Sequence, residues 1–309
     1  MAHAADPVQQ RRPREQSHPF GRVLVVYNPT STGDGPGNAR ELGEQLTRRL
    51  PATAVRLCAT RHAGHAEDLA ERAVLEDPAT LVVSASGDGG YHEVVNGVVR
   101  ARWRRPGAGV CAVLASGNAN DHATAVQEGP LVDAIVAGSV SRMDLLEVLV
   151  AGQAPRYAHS YVGLGLTPDV AIELNAHDLG AVAENWLALR SFWRHRPLTI
   201  AHDGRPLPLD SLVLANIDRM AKYATISRTS SPTDGRYEAL LFRRRSKLGL
   251  LASIVSTVRG RHAVASREEP FTFTTLTPTP LQLDGEVHRV DAGVEVTVAC
   301  AAGALDVVR

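Results

Sequence analysis

Apolar and polar positions in the first half of the chain follow two alternating periods. Short apolar runs bounded by turn residues predict buried strands at Arg22 to Tyr27 (RVLVVY), Thr53 to Cys58, Leu81 to Ala85 and Gly109 to Leu114. Between them apolar residues recur at helical spacing: Leu42, Leu46 and Leu50 within Asn38 to Leu50, and Leu69, Ala70, Ala73 and Val74 within Ala63 to Glu76. Val94, Val95, Val98 and Val99 mark a further helix, and Leu131 to Ala137 another. Strands alternating with helices predict βαβ units, a parallel sheet and right-handed crossovers. The fold class expected here is an α/β N-terminal domain of Rossmann-like, three-layer form.

From about Ser141 the pattern becomes strand-like. Runs occur at Met143 to Val150, Tyr157 to Leu166, Leu198 to Ala201, Leu212 to Ile217, Ala224 to Ser227, Tyr237 to Phe242, Phe271 to Leu276, Leu281 to Leu283 and Val294 to Ala301. Asp-Gly pairs at Asp203, Asp234 and Asp284 predict turns. Helical stretches interrupt near Val182 to Trp193 and Lys247 to Arg259. This half predicts a mainly antiparallel β-sandwich domain. The expected division is a disordered tail at 1–19, an α/β domain at 20–140 and a β-sandwich domain at 141–309.

Composition narrows the function. Hydrophobic residues make up 44% of the 309 residues, enough for two cores. Lys plus Arg and Asp plus Glu number 33 each and aromatics are 5%, which argues against a nucleic-acid partner. Cys58, Cys111 and Cys300 lie far apart in or near apolar runs and read as buried thiols in a reducing compartment. The first residues lack the apolar core of a secretory signal, and no apolar run approaches a membrane span. The expected location is cytoplasmic, with any membrane contact peripheral.

The chain is organised around Leu81 to Gly97, LVVSASGDGGYHEVVNG. A strand, a glycine turn and a helix aim backbone N–H groups at an anion. Gly87, Gly89 and Gly90 are expected to let the main chain approach closely and adopt positive φ. Asp88 among them would repel phosphate unless a cation mediates, so the turn suits a metal–nucleotide complex. Small polar turns also follow the first strand (Asn28 to Gly37) and the fourth (Ala115 to Ala123). In a parallel sheet these three turns share the carboxyl edge, where ligands bind.

Taken together, these stretches resemble the diacylglycerol kinase catalytic family, which includes bacterial lipid kinases and sphingosine kinases. The residues carrying the resemblance are Asn28-Pro29-Thr30-Ser31-Thr32, Ser86-Gly87-Asp88-Gly89-Gly90-Tyr91-His92-Glu93-Val94-Val95-Asn96-Gly97, Gly117-Asn118-Ala119-Asn120-Asp121-His122-Ala123 and Asp284-Gly285-Glu286. The family pattern has Gly-Gly-Asp-Gly-Thr where this chain has Ser86 to Gly90, and Gly-Thr where it has Gly117-Asn118. In the family those threonine hydroxyls look placed to touch nucleotide phosphates, so the departures predict weaker affinity or an altered phosphate donor.

The resemblance implies an ATP- and Mg²⁺-dependent kinase acting on a lipid hydroxyl, with diacylglycerol first among acceptors and a place in lipid metabolism and phospholipid biosynthesis. It implies nucleotide contacts from the Asn28 to Thr32, Gly87 to Gly90 and Gly117 to Asp121 loops, with Mg²⁺ near Asp88. Glu286 would be general base on the acceptor hydroxyl, and Asp284 would bind metal or orient its loop. Thr60, before His62-Ala63-Gly64-His65-Ala66, is a candidate nucleotide contact or a helix N-cap. Glu93 is a candidate ligand or a first-turn acid facing its own helix dipole. Asn120 and Asp121 are candidate ligands or helix caps. Ser231, Asp234 and Arg236 resemble a family loop holding a structural Mg²⁺, the alternative being a plain Asp-Gly turn. The histidines form no metal-spaced set, and most are expected in loops or at the surface.

The partners implied are a lipid presented at a membrane surface and, as an assembly to test, a homodimer. Arg190, Arg194 and Arg196, and Arg243 to Arg245 with Lys247, are candidates to meet anionic headgroups. Trp186, Leu187, Leu189, Phe192 and Trp193 are candidates for a lipid-tail pocket or for helix packing. An NAD kinase-like enzyme, whose family shares the glycine turn, and a non-catalytic lipid- or nucleotide-binding protein with a decayed site are the alternatives.

Overall fold

The computed structural model describes residues 18–31, 33–117, 120–127, 129–169, 190, 192–220, 224–225, 230–259 and 264–309. The first half contains strands β1 (Arg22–Tyr27), β2 (Ala54–Ala59), β3 (Thr80–Ser86) and β4 (Val110–Ala115). Its helices are α1 (Gly35–Arg49), α2 (His65–Glu76), α3 (Asp88–Arg102), α4 (Asp121–Val126) and α5 (Leu131–Ala137). All four strands are parallel, in the order β2-β1-β3-β4. Alternation assigns the residues of β1 and β3 to opposite faces. Val23, Val25, Leu81, Val83 and Ala85 pack with α1 and α5. Leu24, Val26 and Val82 pack with α2 and α3. Cover on both faces is why these strands read as near-continuous apolar runs.

The second half begins with β5 (Ser141–Val150), β6 (Arg156–Ala158), β7 (Tyr161–Gly165), β8 (Leu198–His202), β9 (Arg205–Ala215), β10 (Arg219–Met220), β11 (Ala224–Thr225) and β12 (Tyr237–Arg243). Helix α6 (Lys247–Val258) precedes β13 (Ala265–Arg267), β14 (Phe271–Thr275), β15 (Thr279–Leu283), β16 (Glu286–Val290) and β17 (Glu295–Val307). Pairing within this region is antiparallel. Asp203-Gly204 and Asp284-Gly285 both have positive φ and close two-residue hairpins, as the twist of paired strands favours. Among the described residues no helix is long and apolar enough to cross a membrane.

The halves are joined through β17. It pairs antiparallel with β5 and β14, and its end pairs parallel with β4, Val307 beside Cys111. The β-rich region therefore continues the parallel sheet. Met143, Leu145, Tyr157, Leu305 and Val307 share one core with α2 and α3, so residues on both sides of the expected 140/141 boundary pack together.

Several local expectations change. Ser84 to Gly90 is not a turn: β3 runs to Ser86, Gly87 is the N-cap residue, and α3 starts at Asp88. Gly87, Gly89 and Gly90 all keep negative φ, so their small size serves close approach rather than unusual backbone angles. The Tyr157 to Leu166 run is split by His159 and Ser160. His18 and Pro19, expected in the tail, are placed against the fold: His18 Nε2 donates to Ile135 O at 3.0 Å. Residues 1–17, and the expected helical residues 182–189, lie outside the described residues. Cys58, Cys111 and Cys300 are free thiols, and only Cys111 is fully buried.

Gly97 sets how closely α2 and α3 approach. A Cβ there would fall on the Glu67 carbonyl and lie 2.9 Å from Ala70 Cβ. Alanine gains about 1 kcal/mol of helix propensity over glycine, but overpacking against another helix costs about 1–3 kcal/mol, and a backbone carbonyl cannot swing aside. Gly97→Ala is expected to lower unfolding free energy in urea titration; a neutral or stabilised variant would contradict the close crossing.

Candidate active site

The loops after β1, β3 and β4 meet at the carboxyl edge of the parallel sheet. Ser31 Oγ and Gly33 N both donate to Ser116 O, the latter at 3.2 Å. Asn38 Nδ2 donates to Gly33 O and Ser116 Oγ, both at 2.9 Å. A Cβ on Gly33 would lie 2.7 Å from Ser116 C, and one on Gly117 2.8 Å from Gly87 N. Glycine at these points lets three loops pack backbone against backbone.

A cleft of about 390 Å³ opens beside this junction. Of the residues singled out from sequence, Asn28, Pro29, Thr30, Thr60, Gly89, Gly90, Glu93 and Glu286 line it. Asn28 Oδ1 accepts from Thr30 N at 3.0 Å and Thr30 Oγ1 at 2.9 Å, which shapes the first loop. Thr60 is not a cap, since the N-cap of α2 is Gly64. Gly87, Asp88, Ser31, Gly117, Asn120 and Asp121 build the surrounding frame without lining the cleft. Thr32 and Asn118 lie outside the described residues. Sequence reasoning missed Arg61, His62, Ser84 and Ser86, all of which line the cleft. For the serines the signal was present: on the α2/α3 face of β3, Val82 gives way to Ser84 and then Ser86.

Helix α3 positions much of this frame. Asp88 Oδ2 and Oδ1 accept from Asp121 N at 3.0 Å and His122 N at 3.1 Å, capping α4. Asn120 occupies the N-cap position of α4, but its side chain folds back, accepting from Gly117 N at 2.8 Å and donating to Gly117 O at 2.7 Å. Glu93 does not serve its own helix: its Oε1 accepts from Gly64 N at 2.7 Å and its Oε2 from Ala66 N at 3.0 Å, capping α2. Burial pushes the Asp88 carboxyl above its ordinary range, opposed by the His159 ring and by the His122 and Asp121 N–H groups.

Asp284 and Glu286 divide the labour of the second half. Asp284 is fully buried. Its Oδ2 accepts from His92 Nδ1 at 2.9 Å and His159 N at 2.8 Å; its Oδ1 accepts from Ser160 N at 2.8 Å and Tyr161 N at 3.1 Å. Burial alone would raise its pKa, but the His159 ring, the His92 contact and the His159 N–H outweigh that and hold it at about 2. These four bonds orient the loop and leave the carboxylate inside the protein, contrary to the expectation that it binds metal. Two residues on, Glu286 is exposed at the cleft, its Oε1 2.7 Å from where a Cβ on Gly89 would stand. The Glu286 carboxylate accepts no hydrogen bond among the described residues.

His18, His62, His65, His202 and His288 are at least partly exposed, as expected of most histidines, but three others gather at the site. His92, His122 and His159 are buried together with Tyr91 behind the cleft. His159 Nε2 donates to Asp88 O at 3.2 Å, and Ser160 Oγ lies 2.8 Å from His159 Nδ1 and 3.1 Å from His122 Nδ1. Burial pushes His122 well below its ordinary range.

Ser231, Asp234 and Arg236 are not brought to the cleft. Their loop is closed by its own bonds: Asp234 N donates to Ser231 O at 3.4 Å and Arg236 N to Asp234 Oδ1 at 2.9 Å. Among the described residues no group of three or more His, Cys, Asp or Glu side chains is arranged to hold a metal ion. What the site offers a hard cation is the free Glu286 carboxylate at the cleft and the lone pairs left on Asp88 in the frame beside it. That donor set fits Mg²⁺, which binds one or two carboxylates and takes its other oxygens from water and substrate phosphates.

Comparison with known proteins gives one consistent likeness. The model of the diacylglycerol kinase catalytic domain matches residues 22–148. Over those residues, fewer than half of the chain, the sequence is similar to the catalytic domain of that kinase family. A diacylglycerol kinase of Staphylococcus aureus (strain bovine RF122 / ET3-1) is 26% identical over 292 residues, 86% of each chain. One from Staphylococcus carnosus (strain TM300) is 25% identical over 292 residues, 86% of this chain and 88% of the relative. The crystal structure of a diacylglycerol kinase from Bacillus anthracis str. Sterne superposes with a TM-score of 0.69 at 16% identity, covering 94% of this chain and 97% of that one. At that identity the likeness is one of fold.

Two stability outcomes follow from the frame. Glu93→Ala removes the acceptors of two helix-start N–H groups and is expected to cost about 1–2 kcal/mol in denaturant titration, with Glu93→Gln costing less; equal, negligible losses would discount the cap. Acid should destabilise the fold in two stages. Below the ordinary His value of 6.5 the unfolded chain takes a proton at His122 that the folded chain refuses, so stability falls with pH. Below the ordinary Asp range the contribution of Asp284 is lost progressively towards pH 2. Thermal midpoints measured from pH 7 to 3 should decline throughout, and His122→Asn should flatten the upper stage.

Proposed function

We propose that the chain is an ATP- and Mg²⁺-dependent lipid kinase that transfers the γ-phosphoryl group of ATP to a lipid hydroxyl, with diacylglycerol first among acceptors. The observation that carries this reading is Glu286, an unpaired carboxylate held over Gly89 at a cleft that the Asn28 to Thr30 loop, Ser84, Ser86 and the glycines at 89 and 90 help to line. The N–H groups of the first turn of α3 have no intrahelical partners and suit phosphate oxygens. Glycines at 89 and 90 leave room for them.

In the reaction the acceptor oxygen forms a bond to the γ-phosphorus as the bond to the β,γ-bridging oxygen breaks, and ADP leaves with that electron pair. Glu286 takes the hydroxyl proton on a carboxylate oxygen. The protein's other task is positioning, because phosphoryl transfer depends mostly on alignment and charge neutralisation. The buried Asp284 supplies alignment by fixing the turn that carries Glu286. Mg²⁺, held by Asp88 together with phosphate oxygens, would supply charge neutralisation.

A lipid acceptor presented at a membrane surface is supported by α6. Leu248, Leu251 and Val255 are exposed along it, and the exposed Arg243, Arg244 and Arg245 precede it. Apolar side chains beside clustered arginines suit an interface carrying anionic headgroups. Of the candidate tail-pocket residues, Phe192 packs into the core while Trp193 is exposed; Trp186, Leu187 and Leu189 lie outside the described residues.

Incubating wild type and Glu286→Gln with radiolabelled ATP, Mg²⁺ and a mixed lipid extract tests the reading. Label is expected to enter a lipid with wild type and to fall by about 10²–10⁴-fold with the variant. Equal labelling would remove Glu286 as the base, and no labelling by folded wild type would overturn the kinase reading.

A further inference from the structure

Ser84 and Ser86 are the last two residues of β3 on its α2/α3 face, both are buried, and both line the cleft. Their hydroxyl oxygens are 2.6 Å apart. Two hydroxyls carry two protons, and the contact between them uses one. With Ser84 donating to Ser86, the Ser86 proton reaches only the neighbouring Gly87 carbonyl, at 3.2 Å. That bond is long and adjacent in sequence, so an incoming phosphate oxygen can replace it readily.

Gly90 faces the same spot from the first turn of α3. A Cβ on Gly90 would fall on Ser86 Oγ and lie 2.7 Å from Ser86 Cβ. Rotating Ser86 about χ1 moves the oxygen but leaves Cβ in place. The two positions therefore cannot both carry a side chain at this backbone separation. The chain places its side chain at 86 and leaves 90 bare. The Gly-Gly-Asp-Gly-Thr order that this stretch resembles does the opposite.

We infer that Ser86 and Gly90 are one reciprocal exchange, in which the Ser86 hydroxyl, backed by Ser84, donates to the phosphates of the bound nucleotide from the space that a side chain at 90 would fill. This rests on the kinase reading, which puts a nucleotide in the cleft. On this account the departure from the family order marks a working site whose hydroxyl arrives from the strand instead of the helix, and not a decayed one.

The test is a cycle of S86G, G90T and S86G/G90T on the full chain. Calorimetric titration with Mg²⁺–ATP, ADP and adenosine is read beside thermal unfolding without nucleotide. S86G is expected to weaken ATP about tenfold, the scale of one hydrogen bond to a charged group, with adenosine unchanged. A merely structural role would weaken all three ligands alike. G90T is expected to weaken ATP and to lower the thermal midpoint, because the new side chain meets Ser86. S86G/G90T is expected to recover both, with ATP affinity returning to within about threefold of wild type. Losses that simply add in the double variant, or S86G leaving ATP affinity unchanged, would overturn the exchange while leaving the kinase reading intact. S86A, which keeps Cβ and removes only the hydroxyl, supplies the same ATP reading where S86G does not fold. Wild type that binds no nucleotide would overturn the kinase reading and this inference together.

Discussion

A carboxylate with no exposure to water must find its hydrogen bonds inside the protein, and Asp284 does so completely. Desolvation of an ion costs several kcal/mol, and removing one partner from such a group typically costs about 3–5 kcal/mol. The His92 side chain and the backbone of His159, Ser160 and Tyr161 therefore have little freedom to move independently of the Asp284–Gly285 turn. The split between β6 and β7 has its explanation here: the backbone N–H groups that leave the ladder turn towards Asp284. Everything that aims Glu286 at the cleft descends from this one buried charge.

Helix α3 distributes the rest of the constraint. Asp88 reaches α4, His92 reaches Asp284, Glu93 reaches α2, and Asn96 exchanges 2.9 Å bonds with the backbone N and O of Tyr157. One rigid element thus sets the positions of two helix starts, a strand and a hairpin. The acids that a sequence reader assigns to ligand binding are in good part holding the protein together around the ligand's place. Lone pairs remain on Asp88 for a cation, so framing and binding are compatible.

Much of this was legible in the chain. The apolar runs of β1, β3 and β4 and the small polar loops behind them pointed to convergence at one sheet edge, since parallel strands align their carboxyl ends. What was not legible were pairings between distant residues. Nothing near Glu93 says that it caps Gly64 and Ala66, because local periodicity carries no information about which helix start lies alongside. Most histidines read as surface or loop residues, and nothing local says that His92, His122 and His159 are buried where a charge and a hydroxyl meet them. Of the two uses read for the glycines of the central turn, close approach holds and positive φ does not, and which atom needs the space at Gly87 or Gly90 is again a pairing the local sequence does not carry.

The parallel sheet that begins at β1 is completed from the opposite end of the described chain, where Val307 pairs beside Cys111 and Val308 N donates to Cys111 O at 2.9 Å. Such a pairing is remote in sequence, so the entropy of closing the intervening loop is spent before any contact rewards it. Until β17 arrives, β4 presents an open edge of N–H and C=O groups that any strand can occupy. The last strand of the described chain is thus also the guard of the first sheet: a chain whose β17 is displaced bares the β4 edge to pairing with the wrong neighbour.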